Sequence, residues 1–267
     1  MNSLIHFLSV RALTPTFLLA AAFASCSAQA RVFDYKQIGV ATYFRGNGGL
    51  SAVKQNAFSG SSGVDSKIDG ESNFSYGGEL GVQIALGSAV NMRIGAEIIQ
   101  HRPVSEAKGL NASGQERFTM ESSVFIFNPS VTFEYAYQTV NNTRLYFALG
   151  AGMADITVEN RYTMTAQGTT DLGVASFNEK LQGNAPEYHI NTGFETLFVD
   201  NTTFSIDAGY RYLPVKEFKY KGATPNIVAP GGVAKGDVAK DQNGANRELD
   251  LGGFYVGFTF KFYMNFL

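Results

Sequence analysis

A repeated two-residue alternation constrains this chain more than any other feature. From Phe254 to Phe266 every second residue is large and apolar: Phe254, Val256, Phe258, Phe260, Phe262, Met264 and Phe266. Between them stand Tyr255, Gly257, Thr259, Lys261, Tyr263 and Asn265. Successive side chains of a β-strand point to opposite sides, so this period describes a strand with one greasy face and one mixed face. A greasy face of that length has to be covered, either by a protein core or by lipid.

The same alternation recurs upstream. It predicts strands over 35–45, 73–86, 90–101, 117–137, 143–156, 188–199 and 203–213, which with 254–266 makes eight, although periodicity alone leaves ten open. Pro129 inside the fourth predicts a bulge or a break, because proline cannot donate to a ladder. The connections 87–89, 138–142 and 200–202 are tight and rich in turn-forming residues, whereas 46–72, 102–116, 157–187 and 214–247 are long. Hairpins in series, with tight turns at one end and long loops at the other, follow from this spacing.

Composition agrees with strands and limits the alternatives. The chain has 29 glycines, 13% aromatic residues and no tryptophan, a β-rich profile. A formal charge of −2 gives no footing for nucleic-acid binding. After Arg31 no run approaches the roughly 20 apolar residues of a membrane helix, so a helical membrane protein is excluded.

Upstream, Arg11 precedes the apolar run ALTPTFLLAAAFA and the small-residue site Ala28-Gln29-Ala30, the pattern of a secretory signal peptide over 1–30. That leaves 31–267 as one exported domain. The single cysteine, Cys26, falls in the leader, so no disulfide framework is available. Lipidation at Cys26 is the alternative, against which stands Phe23, a poor residue for a lipobox.

The two faces differ in kind. The apolar face carries no charge across the centre of any predicted strand. The other face carries Arg45, Glu79, Arg93, Glu97, Glu134, Arg144, Glu195, Asp207, Arg211 and Lys261, set among Gly39, Gly77, Gly81, Gly95, Gly150, Gly152, Gly193, Gly209 and Gly257. A soluble sandwich would turn such a face to water. Small residues mixed with charges of both signs fit better inside a narrow lumen, where they must pack and pair. Tyr43 with Phe44, Tyr135 with Tyr137, Tyr210 with Tyr212 and Phe262 with Phe266 lie toward strand ends, as girdle residues would. The expected fold is an all-β, eight-stranded antiparallel transmembrane up-and-down β-barrel with short periplasmic turns and four long extracellular loops, closed so that lipid meets no unpaired backbone.

Gly209-Tyr210-Arg211-Tyr212, Gly150-Ala151-Gly152 and the alternating phenylalanines of the last strand resemble the OmpA-like outer-membrane β-barrel family and its opacity-adhesin relatives, over essentially all of 31–267. The resemblance implies location in the outer membrane of a Gram-negative bacterium. It also implies that barrel-assembly machinery reads the last strand, through Phe254, Val256, Phe258, Phe260, Phe262 and Phe266. Family members usually end on Phe; here Leu267 follows Phe266. The peptidoglycan-binding domain of the longest members is expected to be absent.

For function, the residues point to a scaffold rather than an enzyme. Serine–histidine chemistry as in lipid A-modifying barrels needs a nucleophile beside a histidine held by an acid. The mature chain offers His101 and His189, the latter on one face with Asn191, and a serine such as Ser205 on a neighbouring strand. No cofactor and no metal cluster is expected. Loops on a rigid scaffold are the natural place for function, and Lys216, Lys219, Lys221, Lys235, Lys240 and Arg247 make the last one basic. The expectation is a monomeric, non-enzymatic barrel that stabilises the membrane, contacts outer-membrane lipid and lipopolysaccharide, and displays loops for a surface ligand or adhesion. A small ion- or solute-conducting pore and a lipid A-modifying enzyme are the rivals.

Overall fold

A computed structural model describes residues 39–50, 53–54, 71–72, 74–111, 113–140, 142–227, 231–240 and 244–264. The expected leader, the start of the first strand at 35–38, most of 46–72, and Phe266 with Leu267 lie outside the described residues.

Eight strands build the fold: β1 (Val40–Leu50), β2 (Ser75–Ala85), β3 (Val90–His101), β4 (Glu116–Val140), β5 (Thr143–Met164), β6 (Phe177–Val199), β7 (Thr202–Tyr212) and β8 (Gly253–Met264). Each pairs antiparallel with the next in the chain, and β8 pairs back onto β1 from Leu50 opposite Phe254 to Val40 opposite Met264. The ring is therefore closed at the level shared by all eight strands. One tight turn shows local sequence at work: Asn201, between β6 and β7, takes φ 54°, a left-handed conformation that asparagine tolerates.

Register decides the faces. Phe44, Leu80, Ile94, Phe133, Leu149, Ile190, Ile206 and Phe258 point outward and are exposed, while Tyr43, Glu79, Arg93, Glu134 and Thr259 point inward and are buried. Tyr43 is thus a lumen residue and not part of a girdle with Phe44. Tyr135, Tyr137, Tyr210 and Tyr212 do face outward. Pro129 introduces no bulge but interrupts the β4–β5 ladder. The β4–β5 register continues from Phe127 opposite Asp155 to Ser130 opposite Gly152, and only the two intervening pairings are skipped. Pro129 also points outward, so its ring costs the ladder a donor without entering the packed lumen.

Strand length separates two regions. Five strands have 11 or 12 residues, close to the roughly 9–11 that cross a bilayer when tilted. By contrast β4, β5 and β6 have 25, 22 and 23, so half of each projects beyond the apolar band, on the side of the long connections. Much of 157–187, expected as a loop, is thus the top of β5 and β6. It is joined by α1 (Ala166–Leu172), whose N-cap Thr165 accepts from Gly168 N and which ends at Gly173 with φ 67°. Likewise 102–116 contains a strand, Val104–Leu110, paired to β4, and 46–50 belongs to β1.

In the projecting half the faces exchange character. Val124, Ile126, Met120, Ile156, Val158 and Leu181 now point inward and are buried, whereas Glu121, Glu159, Arg161 and Lys180 point outward. The connection between β7 and β8 folds into this apolar interior. Leu213, Val215, Phe218, Tyr220, Leu249 and Leu251 pack against it. Lys219 and Tyr220 pair with Gln182 and Leu181 of β6.

Candidate functional site

The lumen at membrane level concentrates the charged chemistry of the described residues, and all ten charged residues expected on the inward face lie in it, each under a tenth exposed. They form three tiers. Nearest the tight turns, Lys261 Nζ lies 2.8 Å from Glu195 Oε2 and 3.3 Å from Glu134 Oε2, and Arg144 Nη2 lies 2.8 Å from Glu195 Oε2. Tyr263 and Thr203 both donate to Glu195 Oε1. In the middle, Arg45 Nη2 meets Asp207 Oδ1 at 2.5 Å and Arg45 Nη1 meets Glu79 Oε2 at 3.5 Å, while Tyr43 donates to Glu79. Arg93 links these tiers, 3.9 Å from Glu134 and over the Tyr43 ring.

The third tier lies toward the long loops. Arg211 Nη2 donates to both Glu97 oxygens at 2.6 and 2.7 Å, and Arg211 Nε to Glu187 at 3.2 Å. Asn47 donates to the same Glu97. Arg93 and Arg211, both on the charged face, therefore serve different tiers.

Sequence reading missed Glu187, because it fell within a segment taken as loop, and gave no role to the tyrosines that line the wall. The glycines gave a usable signal for those tyrosines. A Cβ at Gly193 would stand 2.5 Å from the Tyr146 hydroxyl, and one at Gly209 would stand 2.6 Å from that of Tyr255. These glycines are seats for rings that fill a lumen too narrow for two large side chains at one level.

His189 sits in the third tier with Thr132 Oγ1 2.9 Å from Nε2 and Glu187 Oε1 3.0 Å from Nδ1. Hydroxyl, imidazole and carboxylate thus stand in the order of a nucleophilic triad. Asn191, weighed from sequence as its neighbour, instead donates to Tyr255, and Ser205 lies on β7 opposite Glu195. Directly above along β5 and β6 the interior becomes Ala154, Ala185, Ile156 and Leu181, so the histidine lies under an apolar cover.

Higher still, one buried ion pair ties the cover down. Arg247 Nη1 meets Glu179 Oε1 at 2.6 Å, and Asn160 and Tyr162 donate to the same oxygen. Burial alone would lower the pKa of Arg247, but Glu179 outweighs it and holds the guanidinium more firmly charged than usual. Burial and then Glu179 push the Tyr162 hydroxyl up. Arg247, expected among the basic residues of a solvated loop, is therefore an internal clamp. Lys216 and Lys219 do remain exposed, beside Glu248 and Glu217.

Outside the ring, an unbroken band of exposed apolar side chains encircles the same level as the charged lumen. Only lipid can cover such a band, and only a closed ring satisfies its backbone there. The chain is a transmembrane β-barrel of the outer-membrane type.

No family model matches the sequence, and no curated protein matches it. Similar solved structures are outer-membrane proteins of low sequence identity. OprG of Pseudomonas aeruginosa is 15% identical, with 85% of this chain and 99% of that one covered at a TM-score of 0.42. The outer membrane protease OmpT of Escherichia coli is 8% identical, with 85% and 94% covered at 0.47. Ail, the attachment invasion locus protein of Yersinia pestis, is 14% identical in its complex with the heparin analogue sucrose octasulfate, with 84% and 99% covered at 0.38.

Proposed function

We propose that this protein is a sealed, non-enzymatic scaffold of a Gram-negative outer membrane that raises a rigid platform above the lipid for surface binding. One observation carries the reading. The strands that project beyond the membrane enclose an apolar core filled by the β7–β8 connection, with Arg247 on Glu179 holding that connection to β6. A core of this kind resists water, and the paired charges below it leave little space for ions. It also separates the Thr132–His189–Glu187 array from outside substrates, so the array serves to hold Arg211 and Glu187 in place.

A polar recess of about 420 Å³ supports the platform role. It lies on the outer wall of the projection and is lined by Glu121, Ser123, Glu159, Arg161, Asn178 and Lys180 among others. Charges of both signs on rigid strands suit a polar partner such as a host glycan or protein loop. The barrel acts as a monomer, is inserted by barrel-assembly machinery, and contacts lipopolysaccharide at its rim.

Planar-bilayer recording on the refolded protein tests this. The expected result is no steady unitary conductance. Discrete open levels would make it a pore instead. A change in the lipid A mass spectrum on expression would make it an enzyme.

A further inference from the structure

The lipid-facing wall of β6, β7, β8 and β1 is not evenly covered. One cross-strand row there is built from small residues: Thr192 opposite Ala208, Ala208 opposite Val256, and Val256 opposite Gly48. The row on one side of it is large, Ile190–Tyr210–Phe254–Leu50, with the Tyr210 and Phe254 rings 5.0 Å apart. So is the row on the other side, Phe194–Ile206–Phe258. Phe147 and Phe74 line the same recess. The result is a trough of about 680 Å³, within the roughly 300–1,000 Å³ typical of ligand pockets.

Two glycines show that the floor at Gly48 has room for a side chain that Gly46 lacks. Gly46 and Gly48 both face outward on β1. The space over Gly46 is taken by the Phe258 ring, which a Cβ would meet at 2.6 Å, whereas at Gly48 the nearest atom is the Phe74 ring edge at 3.4 Å. The polar side chain of the floor is also satisfied internally, since Thr192 Oγ1 donates to the Tyr146 carbonyl at 3.0 Å. The trough is therefore largely apolar.

We infer that this trough is a binding site for an acyl chain of an outer-leaflet lipid. Its level sets the occupant. Gly48 and Val256 lie at the ends of β1 and β8 nearest the long connections, which places the trough in the outer half of the hydrocarbon band. Hydrocarbon is the solvent at that depth, so affinity must come from packing and not from the hydrophobic effect. A chain lying in the trough touches atoms on its floor and both walls, whereas a chain against the convex barrel touches one side only, and each extra contact adds dispersion energy. The two flanking rows, marked on β6 by Ile190 and Phe194, stand four residues apart, about 13 Å at the usual strand rise. That width admits one hydrocarbon chain between the wall side chains and excludes the convex wall of a second barrel.

The absence of tryptophan in the chain makes the test direct. Leu50→Trp places a single indole on the trough wall, and Ile98→Trp places one on the lipid face of β3 as a reference. The full chain is reconstituted in bilayers containing a minor fraction of lipid brominated along saturated acyl chains. Quenching of the trough indole should exceed random mixing severalfold, and quenching of the reference indole should follow random mixing. Adding Ala208→Phe, or Gly48→Leu if that variant fails to fold, should fill the floor and bring the trough indole to random mixing. Random mixing at both positions in the unfilled protein would overturn the inference. So would a trough indole shielded from bromine while the protein crosslinks as a dimer through this face, because a second copy would then be the occupant.

Discussion

The lower and upper halves of β4, β5 and β6 are the same strands with opposite covering. Along one face of β4, Phe127, Val131 and Phe133 meet lipid and are exposed, while Glu121, further up the same face, meets water. On the other face, Glu134 and Thr132 give way to Ile126, Val124 and Met120. The register is the same on both sides of the crossing point. What changes is the solvent outside, and each half buries whatever its surroundings reject. In lipid the charges go inside and pair, and in water the apolar residues do.

The two halves should therefore fail differently. The largest effects belong to their buried ion pairs. Arg211→Ala leaves Glu97 and Glu187 without their cation, and Arg247→Ala does the same to Glu179; each should cost about 3–5 kcal/mol. Denaturant unfolding in micelles should show Arg211→Ala lowering the stability of the whole barrel, together with its resistance to detergent on unheated gels. Arg247→Ala should keep that resistance and lose hydrogen-exchange protection only in the upper halves of β5 and β6 and in the β7–β8 connection. Identical patterns for the two variants would mean that the projection is not a separate cooperative unit.

A smaller effect tests the exchange of faces on one strand. Val131 lies at the centre of the outward apolar run of β4, and Ser123 lies on the same face higher up. Val131→Arg should cost about 2–4 kcal/mol when folding into bilayers. Ser123→Arg should stay within about 0.5 kcal/mol, since it stands opposite Glu159 in water. Equal penalties would place Ser123 in the lipid and extend the membrane band upward.

The smallest effect is a pH dependence at the top of the projection. The hydrogen bond from Arg117 is the main cause that holds the Asp171 carboxyl below its ordinary range. A depressed carboxylate pKa stabilises the folded state above the unfolded value, near 3.9, and the stabilisation is lost as pH falls through the lower folded pKa. Protection of the α1 amides should thus hold from neutral pH down to the ordinary carboxylate range and weaken only beneath it, and Asp171→Asn should remove the transition. Weakening already at pH 6 would point to another group.

Much of the membrane half is legible along the chain because lipid imposes one rule on every strand. Phe258 and Thr259 differ in face by a single step, and that parity follows from alternation alone. The projecting half obeys the reverse rule. Val158, Asn160 and Tyr162 on β5 alternate with Glu159 and Arg161 just as strand residues should, but with polar residues outward and a modest apolar set inward. Read against the pattern of the lower strands, such a stretch looks like a loop. Glu187 and its partner His189 were separated by that reading, one assigned to loop and one to strand.

Alternation, glycine placement and the spacing of turns by themselves determined a series of antiparallel strands with lipid on one face and charges on the other, since local geometry and the solvent of that face suffice, while the count of eight rather than ten was settled by the closing pair of β8 and β1. Which charges pair was decided only by tertiary structure. Arg45 reaches Asp207, Arg211 reaches Glu97 and Arg247 reaches Glu179 across the ring or across the mouth. These partners are far apart in sequence, and they meet only because β8 closes on β1 and the last connection turns inward. Charge pairing depends on register and closure, and neither is written in any one strand.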